Sequence, residues 1–335
     1  MAEFYPLKMQ SFLREIVWGG RKLARYGKTL PEGKRIAESW EVSAHPDGLS
    51  RVAEGELAGR TIPELASEFG EALLGADIAA RYGGDFPLLV KLLDADDRLS
   101  VQVHPDDAAA KRLEPGRADT GKSEAWVVLE AEPDAFLYRG LEPGTTRAVF
   151  EGLLRARRVE ECLHRVEVRP GDCVPIPAGT VHCISAGIVL AEVQQTSDLT
   201  YRVWDWERVG LDGKHRELHV DKALEVIDFD LPVGPGHDAI AAEAVDQGAY
   251  LERTLVAWPK LAMNLTSVKP GARADLAPPE GKFLALLVLK GEGALSWRGR
   301  EWPARPGDSF LVPASAGFFA LSAGDEGIEV LRATA

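Results

Sequence analysis

The sequence has little cysteine, no long apolar run and less positive than negative charge. Cys162, Cys173 and Cys183 are the three cysteines, an odd number with no CxxC pair. That argues against a disulfide framework and fits a reducing cytoplasm, with the thiols as small buried apolar groups rather than metal ligands. No apolar run reaches the roughly 18 residues of a membrane span. The opening Met-Ala-Glu-Phe-Tyr-Pro lacks a signal-peptide core. Lysine and arginine number 39 against 52 aspartates and glutamates, a net charge of -13. Such a surface repels nucleic acid and anionic membranes, so neither is an expected partner. An anionic small molecule would need a local basic pocket set against that field. Histidine is scarce as well: there are seven, and none follows His237.

What is present describes a β-rich globular protein. The 335 residues, 45% hydrophobic and 27% charged, allow a sizeable core and about two domains on a prior of roughly 150 residues each. Short strand-like runs dominate: 86–93, 99–104, 125–129, 135–138, 166–168, 173–176 and 188–194. Gly, Pro and Asp separate them, the habit of an all-β sandwich or jelly roll. Two helical patterns stand out. Residues 62–69 follow Thr61 with Pro63 near the start, and 146–162 carries apolar residues at one-helix-face spacing. A Pro- and Gly-rich segment, 231–238, closes a first unit of about 1–235. A second β unit, 245–335, has runs at 282–289, 294–297, 309–312, 318–321 and 328–331. Gly307-Asp-Ser-Phe-Leu-Val-Pro313 repeats Gly171-Asp-Cys-Val-Pro-Ile-Pro177 at identical spacing. The residue aligned with His182 in this second copy is Phe318.

Chemistry concentrates in three fragments. Gln102 and His104, two apart in Val101-Gln-Val-His-Pro105, leave the same face of a strand. Glu124 follows Lys122 and opens an apolar run. His182 ends Gly171-Asp-Cys-Val-Pro-Ile-Pro-Ala-Gly-Thr-Val-His182. Together Gln102, His104, Glu124 and His182 offer two oxygens and two imidazole nitrogens to one divalent ion, with no thiolate. The set suits a Lewis acid, and its ligand chemistry accepts Zn²⁺, Mn²⁺, Fe²⁺ or Co²⁺.

This constellation resembles the metal-binding cupins. Gly171 to His182 has the order of their second motif, and Gln102-x-His104 stands for the first with the glutamate displaced downstream. The variant is similar to type I mannose-6-phosphate isomerase. Trp40-Glu-Val-Ser-Ala-His45-Pro, Pro87-Leu-Leu-Val-Lys91 and Tyr201-Arg202-Val-Trp-Asp205 add to the likeness, in order, over roughly the first two-thirds of the chain. The resemblance implies a mainly β fold of two cupin-like jelly-roll barrels with a few short helices, in the compact form of the family. It implies one zinc per chain in residues 1–235, and a degenerate second barrel, 245–335, without ligands. It further implies Lys122 and Arg202 as catalytic groups facing the substrate, Lys91 and Ser100 at its phosphate, and Trp18 walling the pocket. His45 reads as a structural turn residue, and Lys214, at a departing spacing, stays outside the set. The implied reaction interconverts mannose 6-phosphate and fructose 6-phosphate through an enediol, with a phosphosugar as the sole expected partner; the oligomeric state is not legible. An Fe-dependent cupin oxygenase and a non-catalytic sugar-phosphate-binding regulatory cupin share the fold and the imidazoles. The oxygenase would not require Lys91, Lys122 and Arg202 in one pocket, and the regulatory module would bind without turnover.

Overall fold

The computed structural model describes residues 4–117, 120–240 and 242–335. Strand alternation builds three antiparallel sheets. A six-stranded sheet runs Cys173–Ile176, Glu124–Ala131, Ile188–Gln195, Leu88–Ala95, Ile36–Ser43, Phe12–Gly20 in spatial order. A five-stranded sheet runs Tyr201–Trp204, Val101–Val103, His182–Ile184, Phe136–Leu141, Leu163–Glu167. The third, ten-stranded sheet holds the strands from Val245 to Thr334 and also takes in Leu7–Gln10, which pairs with Ser309–Val312, and Arg51–Val52. The protein is mainly β with cupin-like sheets, none of which closes on itself.

Three of the six-stranded sheet's strands are buried along their whole length, because both faces are covered. Val90, Leu92, Val189, Ala191, Val193, Ala125 and Val127 share a core with the C-terminal sheet. The alternate residues Leu93, Ile188, Leu190, Trp126 and Val128 face the five-stranded sheet and meet Ile184 and Leu137 there. On that sheet's far side Val101, Val103, Cys183, Tyr201 and Val203 pack under helices, including Phe150 and Leu224. Period-two alternation therefore directs Lys91, Glu124, Glu192, Gln102, His182 and Arg202 into the space between two sheets. At one end of that space polar groups replace the apolar core.

The helix Ile62–Phe69 begins as expected. Thr61 Oγ1 accepts from the Glu64 amide at 3.4 Å and Glu64 Oε2 accepts from the Thr61 amide at 2.7 Å, a reciprocal cap. The single helix expected over 146–162 is instead Arg147–Arg155 followed by a 3₁₀ turn, Val159–Cys162. Arg157 breaks it with φ of 60°, a left-handed conformation that no glycine announces. In the C-terminal unit, runs expected to be separate merge into Leu284–Trp297 and Phe319–Thr334. Their glycines are bends, not breaks: the pairing register shifts at 288–290 and 291–293. A Cβ at Gly291 or Gly293 would collide with the backbone of Gly327 or Ser322.

Candidate metal centre

His182 lies opposite Gln102 in antiparallel register, and Gln102 lies opposite Arg202 on its other side. Glu124 arrives from the facing sheet, where it pairs with Gln194. One ligand atom each from His104, Glu124 and His182 falls within 4.8 Å of the others, and all three side chains are buried.

The tautomers are set by backbone. His104 Nδ1 donates to the Leu199 carbonyl at 2.8 Å and His182 Nδ1 to the Thr180 carbonyl at 2.9 Å. Each Nε2 lone pair is thus turned toward Glu124, at 3.6 Å from His104 and 3.4 Å from His182. Burial holds the His104 imidazole well below its ordinary pKa, with Lys122 and His182 adding to the effect. Burial likewise pushes His182 down to about 4. Both rings stay neutral, the form that ligates.

Neither oxygen of Glu124 accepts a hydrogen bond, although both are buried. Its ion-pair partner is the buried Lys122, whose Nζ stands 2.7 Å from Glu124 Oε2 and 3.1 Å from His104 Nε2. The donor set draws positive charge, and its residues fit a divalent metal. Gln102 lies beside it: its Nε2 is 3.2 Å from His182 Nε2, and Ser100 Oγ donates to its Oε1 at 3.2 Å. Turning the amide over exchanges nitrogen for oxygen, so Gln102 can present an acceptor to a cation.

Above the cluster opens a cavity of about 630 Å³. Every remaining site residue named from the sequence lines it: Trp18, Lys91, Ser100, Lys122 and Arg202, beside Gln102. Lys91 belongs to a cross-strand row, Trp40–Lys91–Glu192–Trp126. Its Nζ is 3.1 Å from Glu192 and 3.7 Å from Glu38. Burial alone would lower its pKa, but Glu38 and Glu192 outweigh burial and hold it above the ordinary value. The two carboxylates are steered by indoles: Trp126 Nε1 donates to Glu192 at 3.0 Å and Trp40 Nε1 to Glu38 at 2.6 Å. His45 packs edge-on against Trp40 outside the cavity. Lys214 is exposed and does not line it.

Sequence reasoning passed over Arg14, Glu38, Glu192, Asp198, Arg216 and Lys222, all in the lining. Glu192 carried a readable signal, a lone charge within Ile188-Val-Leu-Ala-Glu-Val, where burial demands a partner. Arg216 and Lys222 carried none, because a loop and the short helix Val220–Val226 bring them in.

Open antiparallel sheets with a buried imidazole–carboxylate set between them define a cupin-like metal-site protein. Residues 7–125 match the model of the phosphomannose isomerase type I catalytic domain. Mannose-6-phosphate isomerase ManA of Bacillus subtilis is 36% identical over 316 residues, 94% of this chain and 95% of that protein. Mannose-6-phosphate isomerase of Streptococcus mutans is 34% identical over 315 residues, 93% of each. The crystal structure of the mannose 6-phosphate isomerase from Bacillus subtilis superimposes with a TM-score of 0.88 at 30% identity, covering 98% of this chain and 99% of that one. The chain belongs to the type I phosphomannose isomerase family.

Proposed function

We propose that this protein is a metal-dependent aldose–ketose isomerase that interconverts mannose 6-phosphate and fructose 6-phosphate. The carrying observation is the buried His104–Glu124–His182 set, its carboxylate ion-paired with Lys122, beneath a cavity whose lining is net positive in a chain of net charge -13. Seven Lys and Arg side chains line that cavity against five acids. Relatives named as isomerases over nearly the whole chain disfavour the oxygenase and regulatory alternatives.

Gln102, His104, Glu124 and His182 would hold the ion, for which we propose Zn²⁺, one per chain. A bound divalent cation would supply electrophilic stabilisation of negative charge on the sugar oxygens. Lys122 and Arg202 project into the same cavity and offer N–H donors to the charge that develops on O1 and O2 of the enediolate. Trp18 and Trp126 give the cavity apolar walls that exclude water from that charge. The proton leaving C2 for C1 needs a carrier. Among the lining carboxylates Glu192 is our candidate: Trp126 fixes its Oε2 by a hydrogen bond, and its Oε1 faces Lys91 at 3.1 Å.

The buried free thiols are consistent with a reducing cytoplasm, and no helix among the described residues is long and apolar enough to cross a membrane. We propose residues 1–235 as the catalytic unit and 245–335 as a unit without metal. The test is a coupled assay with mannose 6-phosphate before and after chelation, with elemental analysis. We expect chelator-sensitive turnover restored by one equivalent of Zn²⁺. Full turnover by metal-free protein would overturn the reading.

A further inference from the structure

The segment that carries Lys122 and Glu124 is braced from outside the cavity. Ser123, between them, is tied twice: its amide donates to Gln195 Oε1 at 3.1 Å, and its Oγ accepts from the Ala178 amide at 3.1 Å. The Lys122 amide donates to the Pro105 carbonyl at 2.9 Å, and the Gly179 amide to the His104 carbonyl at 2.9 Å. The three stretches that bring His104, Glu124 and His182 together are thus hydrogen-bonded to one another.

Two of these ties lead to one side chain. Asp107 Oδ1 accepts from the Gly121 amide at 2.8 Å and from Gln195 Nε2 at 3.0 Å. A single oxygen therefore holds both the residue before Lys122 and the glutamine that fixes Ser123. Asp107 opens the helix Asp107–Leu113, just after His104. Its Oδ2 pairs with Lys260, from the turn between the strands Tyr250–Trp258 and Leu261–Val268 of the C-terminal sheet. Gly121 lies so close to the helix start that a Cβ there would stand 2.4 Å from the Asp107 amide nitrogen. Asp107 is not in the ligand set and does not line the cavity. It keeps 44% of its side chain exposed, so shortening it opens no buried void.

We propose that Asp107 is a positioning residue for the metal centre: by holding Gly121 and Gln195 on one oxygen it fixes where Lys122 and Glu124 stand. A ligand already in place loses less freedom when the ion arrives, so affinity rises. The same bracing sets the distance of Lys122 from the reacting oxygens. The effect on turnover rests on the isomerase reading, whereas the effect on metal affinity rests on the ligand set alone.

The test uses the full-length protein and measures Zn²⁺ affinity by competition with a chromophoric chelator, then kcat, KM and melting temperature of the metal-loaded form. Asp107→Ala should weaken Zn²⁺ binding roughly tenfold and lower kcat by a similar factor, with KM within about twofold. Asp107→Asn keeps the Oδ1 acceptor and should restore both to within about threefold. Gly121→Ala displaces the same segment from its other side and should reproduce the losses of Asp107→Ala. Asp106→Ala is the control. Asp106 caps the same helix, accepting from the Ala109 amide at 2.7 Å, so its loss should lower the melting temperature while Zn²⁺ affinity and kcat stay unchanged. Unchanged Zn²⁺ affinity in whichever of Asp107→Ala and Gly121→Ala folds would overturn the proposal, as would equal losses in Asp106→Ala. Weakened Zn²⁺ binding in Asp107→Ala, when the parent protein does not isomerise mannose 6-phosphate, would sustain the positioning role and remove the isomerase reading.

Discussion

The chain contains the same turn twice, and only one copy faces chemistry. Arg169-Pro-Gly-Asp172 and Arg305-Pro-Gly-Asp308 fold identically. In the first, the Gly171 amide donates to Val128 O at 2.8 Å, and Asp172 accepts from the Arg169 amide at 2.7 Å. In the second, Gly307 donates to Val288 O at 2.8 Å, and Asp308 accepts from the Arg305 amide at 3.0 Å. Each leads into a four-residue strand, Cys173–Ile176 or Ser309–Val312. Eleven residues after the glycine the copies diverge. His182 is fully buried between two sheets, whereas Phe318 is 80% exposed at the edge of its own. A turn alone therefore builds no site. It delivers a residue to a place, and a second sheet must stand opposite with Glu124 for that place to bind anything.

The sharpest break in this comparison is His182→Ala. We expect metal content to fall severely and turnover by several orders of magnitude, whereas Phe318→Ala should leave both unchanged. Equal effects, read by elemental analysis and the coupled assay, would contradict the asymmetry. Arg202→Ala comes next. It should cost roughly two decades in turnover, the worth of a positioned charge donor, at unchanged metal content. Loss of metal in that variant would place Arg202 in ligation instead.

The two glycines sharpen the comparison at the level of folding. Both have positive φ, 96° at Gly171 and 86° at Gly307. Yet a Cβ at Gly171 meets nothing within 4 Å, while one at Gly307 would strike the carbonyl of Tyr26. Denaturant titration should show Gly171→Ala costing about 1 kcal/mol of backbone strain and Gly307→Ala costing clearly more, about 3 kcal/mol or above. Similar losses would mean that the N-terminal segment does not pack on the second turn as described.

The smallest effect is acid sensitivity of the metal-free protein. His104 and His182 are held neutral below their ordinary pKa, His182 at about 4. Below about 6.5 the unfolded chain takes up protons that the folded one refuses, so stability falls as pH falls, for His182 down to about 4. The stability is fully present above about 6.5. His182→Gln should flatten the profile in that window, and an unaltered slope would show that the ring is not buried neutral.

Much was legible along the chain because its causes are local. Thr61 and Glu64 cap a helix within one turn, and the Gly171–His182 spacing stays rigid wherever it sits. Glycine misled where it bends a strand, at Gly291 and Gly293, since a bulge and a break share the same residue. Arg157 misled in the other direction, as a helix end without a glycine.

By itself the sequence determined a mainly β chain and the donor chemistry of Gln102, His104, Glu124 and His182. Those follow from periodicity, residue type and short spacing, which act over a few residues. Only the tertiary structure decided that Glu124 comes from one sheet and His182 from the other. It also decided that Lys91 is spoken for by Glu38 and Glu192, and that Arg216 and Lys222 reach the cavity rim. Sheet stacking and long-range register set these meetings, and the residues concerned lie far apart in the chain with no local pattern to mark them.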